Sequence, residues 1–223
     1  MPTLNDLRKK LTSEQRELLG AIWNYYCTRG RWIPCRVLHQ GFKQLRKHGV
    51  RAALVPLGGS IVYEAKEPSE EVYKVTLLGA LLTGQGWELE RCLGRFLGYF
   101  RDRFENDPEI SGLTGQDIRE GLRLTDEQAL VLFNLVWIGP LCGGGGNSGR
   151  NLDAWKFGLP YDIEDIPEEV ESYLEALVLR NYDPAVPFEA NAREQYDFRK
   201  SGVYSFADRA TDDETACPFG GPA

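Results

Sequence analysis

Apolar positions after Thr12 recur every three or four residues, at Leu18, Leu19, Ile22, Trp23 and Tyr26. That spacing predicts a helix with one buried face. Thr12-x-x-Gln15 predicts a capping box at its start, in which each side chain satisfies a free backbone N–H. Gly30 predicts its end. Pro34 suits the first turn of a second helix, with Val37, Leu38 and Phe42 on its apolar side. A third helical segment falls between Lys43 and Leu57. Gly49 and Pro56 weaken it, and Gly58-Gly59 ends it. Ile61–Glu64 and Val72–Val75 have the β-branched and aromatic character of strands, and the polar stretch between them predicts a hairpin.

The pattern then returns to helices. Trp87 to Asn106 carries an apolar stripe of Leu89, Leu93, Phe96, Leu97, Phe100 and Phe104, and Asp107-Pro108 stops it. Thr114 opens a short helix through Ile118 to Leu122. Thr125-x-x-Gln128 is a second capping box, leading into a helix to Ile138 that is apolar on nearly every side and so predicts deep burial. Asp153 to Leu159 alternates like a strand. Pro167 to Asn181 is a further helix with acidic first turns. Residues 183–223 lose the pattern and predict an irregular tail with scattered aromatics. The fold class expected is mainly α with small β-hairpins (α+β).

Three helices followed by a hairpin, with a strand running into Val75-Thr76-Leu77-Leu78-Gly79, resemble the winged helix-turn-helix superfamily over roughly residues 12–84. The resemblance implies a recognition helix in the major groove of DNA and a wing along the backbone. Val55-Pro56-Leu57-Gly58-Gly59 is echoed by Gly139-Pro140-Leu141-Cys142-Gly143-Gly144, which suggests a duplication. The expected organisation is two tandem winged-helix-like units: a basic one at 1–84, a connecting helix at 85–107, a second, acidic unit at 108–182 and the tail.

Charge sharpens this picture. The chain has 223 residues and a net charge of −7, yet residues 1–80 carry 13 Lys+Arg against 7 Asp+Glu. Within 8–51 there are 11 Lys+Arg and 2 Asp+Glu. Arg36, Lys43, Arg46, Lys47, His48 and Arg51 are the candidate nucleic-acid-contacting residues, and Arg8, Lys9 and Lys10 a candidate N-terminal arm. Glu64, Glu67, Glu70 and Glu71 oppose this, because an acidic wing is repelled by phosphate. Two readings follow. One is a non-enzymatic DNA-binding regulator working on double-stranded DNA. The other is a scaffold or adaptor in a bacterial multi-component system, binding a protein partner through its acidic half without touching nucleic acid. The Trp87–Asn106 helix offers a homodimer face, or else packs within its own chain.

Chemistry adds little. Cysteines stand at 27, 35, 92, 142 and 217 without a CxxC pair, and the only histidines are His39 and His48, so no metal ligand set is expected. Cys35, between Pro34 and Arg36 at a helix start, sits where a thiol pKa is lowered, but no base or acid completes a nucleophilic site. The Gly143–Gly149 stretch continues with Arg150-Asn151 and fails the P-loop pattern. Glu164-Asp165 and Asp212-Asp213 lack a histidine or lysine partner, which leaves them as solvated charge. No catalytic residues, metal or cofactor are expected. No apolar run reaches the ~18 residues of a membrane span. The first residues lack the apolar core of a signal peptide, and the expected location is cytoplasmic.

Overall fold

The computed structural model describes residues 2–139, 141–142, 145–146, 151–161, 163–180 and 182–189, with backbone alone at 46–48 and 145–146. It is mainly α with small antiparallel strand sets. Helix α1 (Leu4–Lys10) leads into α2 (Ser13–Arg29), then β1 (Ile33–Pro34), α3 (Cys35–Gly41), α4 (Arg46–Leu54), the hairpin β2 (Val62–Lys66) and β3 (Glu71–Val75), and α5 (Leu77–Leu81). The second half runs through α6 (Gly86–Asn106), β4 (Gly112–Thr114), α7 (Gly115–Leu122), α8 (Asp126–Ile138), β5 (Gly145–Gly146), β6 (Lys156–Gly158) and α9 (Val170–Leu179).

Both halves use the same order of elements. A long helix precedes a short strand, two further helices and two more strands, and in each three-stranded sheet the last strand lies in the middle: β1-β3-β2 and β4-β6-β5. Ile33 pairs with Tyr73 and Pro34 with Val72, while Glu64 faces Tyr73 across the hairpin. Pro34 therefore belongs to a strand and caps α3, one residue before the helix expected from it. A two-residue strand is too short to show a period, so its pattern was mute.

The helix starts follow the side chains named above. Thr12 and Gln15 exchange reciprocal bonds of 3.0 and 3.1 Å with each other's backbone, and Thr125 and Gln128 do the same at 3.0 and 3.2 Å. Thr3 with Asp6 and Thr114 with Asp117 form two further boxes. Their carboxyls are held below the ordinary carboxylate range, chiefly by hydrogen bonds from the backbone of Thr3 and the side chain of Thr114.

One continuous apolar core joins both halves, with Trp23, Phe96, Phe133 and Trp155 among its buried side chains. Phe133 lies 4.8 Å from Phe157 and 5.6 Å from Trp155 between ring centroids. Helix α6, the expected connecting helix, packs on elements of both halves. Leu89, Leu93, Phe96, Leu97 and Phe100 are buried, and α6 packs on α5, α7, α8 and α9. The stripe offered as a homodimer face is thus consumed inside the chain. α8 holds the place in the second half that α4 holds in the first. It is buried along Ala129, Leu132, Phe133, Leu135 and Val136, and touches α2 and α5 as well as α6 and α7.

Helix α1 takes Arg8 out of the expected N-terminal arm, while Lys9 and Lys10 stay exposed. Arg8 lies in the body of the protein with its side chain 8% exposed, ion-paired to Glu90. A guanidinium so placed has no reach toward a ligand.

Candidate nucleic-acid interface

Arg36 stands in the first turn of α3, Lys43 in the 3-10 turn Lys43–Leu45, and Arg51 late in α4. The structure brings these three together along one open groove of about 640 Å³. Arg46, Lys47 and His48 occupy the first turn of α4, but their side chains lie outside the described residues. The Gly143–Gly149 stretch is described only at its β5 backbone.

The groove is not a basic face. Glu64, Glu70 and Glu71 line it beside the three cations. Arg51 donates from Nε to Glu64 at 3.0 Å and from a terminal nitrogen to Glu189. Arg36 pairs with Glu70 at 3.2 Å. Within the hairpin, Glu67 accepts Lys74 at 3.4 Å, and the Lys74 side chain is only 7% exposed. Three of the four wing carboxylates, Glu64, Glu67 and Glu70, are therefore tied to cations of their own unit. Hydrogen bonding to Glu64 and Glu189 raises the Arg51 pKa further above its ordinary value.

The floor of the groove carries Cys35, His39 and Tyr73. The His39 ring Nε2 lies 3.0 Å from the Tyr73 hydroxyl, so His39 turns to the floor rather than serving as a surface phosphate contact. Burial pushes the Cys35 thiol up to about 12, aided by the nearby Glu64 carboxylate. This reverses the lowering expected at a helix start beside Arg36, because desolvation and Glu64 outweigh the helix end. Burial also raises the Tyr73 hydroxyl above its ordinary value. A shift in that direction favours the neutral thiol at Cys35. Among the described residues no group of three or more His, Cys, Asp or Glu is placed to hold a metal ion. No helix among them is long and apolar enough to cross a membrane.

Sequence pattern gave no sign of Glu189. It arrives on a segment that turns over residues 183–186 and then passes beside β2 at Phe188 and Glu189. The Gly59 N–H donates to Val186 O at 2.8 Å and the Glu64 N–H to Phe188 O at 2.9 Å, and Glu64 bridges Glu189 in parallel. Ser60 Oγ donates to Asp183 O at 2.6 Å and accepts from Asp183 N–H at 3.0 Å. Val186 and Phe188 are buried, and the Arg51 guanidinium stands 5.6 Å over the Phe188 ring. A side chain at Gly59 would meet Pro187 O at 2.0 Å, so only glycine lets the segment lie this close. Gly58-Gly59, expected as a helix stop, is also the seat of this segment.

The chain matches no family model, no curated protein and no solved structure. Function rests on the geometry alone.

Proposed function

We propose that this chain is a protein-interaction module, an adaptor of a multi-component bacterial assembly whose first unit does not read nucleic acid directly. The observation that carries this is the state of Arg51. Arg51, one of the cations of the would-be recognition surface, is bonded by Glu64 from the hairpin and Glu189 from the C-terminal segment. Affinity for duplex DNA grows with the number of phosphates neutralised by free cations. A guanidinium already matched by two carboxylates adds little to that number, and Arg36 is matched by Glu70. The buried α8 supports the same reading, since the equivalent helix of the second half offers no groove-reading face. The repeated element and strand order supports the winged-helix resemblance in both halves, and this scaffold serves protein docking as readily as DNA binding.

The DNA reading keeps one observation of its own. The Arg36 side chain is 77% exposed and Lys43 is exposed beside it. The two readings separate in a titration of labelled duplex DNA across a salt series, beside the K43A/R46A/K47A/R51A variant. An adaptor gives no saturable binding even at ~50 mM salt, where nonspecific association is strongest. Binding that weakens steeply with salt and collapses in the variant would establish the DNA reading instead.

A further inference from the structure

The segment on β2 shows what its seat accepts. The turn before β2 donates a backbone bond to the segment at Gly59, and the β2 edge facing away from β3 donates one at Glu64, beside a single bridge to Glu189. The glycine pair admits the close backbone at Pro187. Val186 and Phe188 are almost wholly covered, and the Phe188 ring lies 6.2 Å from that of Tyr73. Arg51 then reads the acid that follows the aromatic residue. Backbone pairing along a sheet edge with pockets for alternate side chains is a general mode of peptide recognition. It is here filled by the chain's own sequence.

Resting on the adaptor reading, we propose that the Gly58–Ser60 turn, the β2 edge at Glu64 and Arg51 form a receptor for a short, acidic-ended peptide segment of a partner protein. The ligand class is a segment with a β-branched apolar residue, a spacer, an aromatic residue and then a carboxylate, matching Val186-Pro187-Phe188-Glu189. The resident segment holds the site until the partner segment replaces it. The groove as a whole carries matched charge, so the local contact selects the partner: Arg51 holds a carboxylate placed directly after the aromatic residue. The backbone bonds carry no sequence preference, so selectivity lies in the aromatic seat and the arginine.

The test uses the full chain and a fluorescent, end-blocked peptide, Asp-Pro-Ala-Val-Pro-Phe-Glu. Its binding is followed by anisotropy to the wild-type chain, to V186D/F188A, which vacates the seat, and to E189Q, which only loosens it. Thermal melts confirm that each variant is folded, and E189Q serves if the double variant is not. The peptide should bind V186D/F188A at least about tenfold more tightly than wild type, because a tethered occupant competes at high effective concentration. Changing the peptide's glutamate to glutamine should weaken binding about tenfold, the worth of one charge-assisted hydrogen bond. That preference should vanish when Arg51→Ala is added, as a cycle between paired groups requires. Absence of binding to a folded, vacated chain, or binding indifferent to both the glutamate and Arg51, would overturn the proposal. So would a wild-type dimer in sedimentation that E189Q and V186D/F188A abolish, since the natural occupant would then be a second copy's segment. The adaptor reading fails separately, in the DNA titration. A negative peptide result with no DNA binding removes this seat alone.

Discussion

The Arg8 guanidinium lies 2.7 Å from the Glu90 carboxylate, across the seam between α1 and α6. The same guanidinium donates twice to Leu81 O, at 3.2 and 3.1 Å, and stacks 4.0 Å over the Trp87 ring. One buried cation thus joins the N-terminal helix to the end of α5 and the start of α6. Arg8→Ala leaves Glu90 without its partner in a largely buried site, which costs about 3 kcal/mol. For a chain of this size that lowers the melting temperature by about 6–12 °C. Glu90→Gln keeps an acceptor and should cost about 1 kcal/mol. Urea unfolding of both variants measures the contrast, and equal losses would show that packing rather than pairing matters here.

Gly59→Ala drives a methyl group into Pro187 O. The body of the first unit does not depend on that contact, so the segment at 183–189 should lift away while the hairpin stays paired. The expected loss is about 1–3 kcal/mol. Hydrogen exchange at the Glu64 amide, which donates to Phe188 O, should accelerate, while the amides of β3 keep their protection.

Thr125→Ala removes the hydroxyl that accepts from the Gln128 N–H at the start of α8. About 1 kcal/mol of stability should go with it, and a similar amount for Thr12→Ala at the start of α2. The two caps share no partner, so the double variant should lose about the sum. Chemical denaturation of the three variants checks both the size and the additivity.

Alkaline pH should destabilise the fold through its buried thiols and tyrosines. Burial pushes Cys27 from 9.0 up to about 12, and Tyr26 from 10.0 up to about 12. The unfolded chain releases these protons first. The stabilisation is therefore complete below about pH 9 and is lost as pH climbs through the folded-state values near 12. Each such group contributes a slope of about −1.4 kcal/mol per pH unit within that window. Unfolding at pH 8 and pH 10 should show wild type losing stability, and Cys27→Ala losing less by roughly one such step. Identical pH dependence in the two proteins would remove Cys27 from the account.

What the chain disclosed beforehand follows the range of each interaction. The boxes at Thr12 and Thr125 were legible because both partners sit within four residues. The hairpin strands were legible from their side chains, and the inward face of α6 from its spacing. α1 was overlooked although Thr3 and Asp6 mark its start, because seven residues carry too little apolar period. β1 was overlooked for the same reason. At the groove, the gathering of Arg36, Lys43 and Arg51 was foreseeable from one basic stretch. The pairing of Arg36 and Arg51 with carboxylates was not. Glu64 lies 13 positions from Arg51 and Glu189 lies 138, and no local pattern links an arginine to a carboxylate so far away.

The bonds between Ser60 and Asp183 span 123 positions, which sets an order of events during synthesis. A ribosome adding roughly 5–20 residues per second needs about 6–25 s to cover that gap. For that interval the outer edge of β2 has no neighbour, and a bare strand edge invites pairing with other nascent chains. Glu64 and Lys66 stand on that strand, and charge on an exposed edge deters such pairing. The two residues guard the newborn protein until Phe188 and Glu189 arrive to cover that edge.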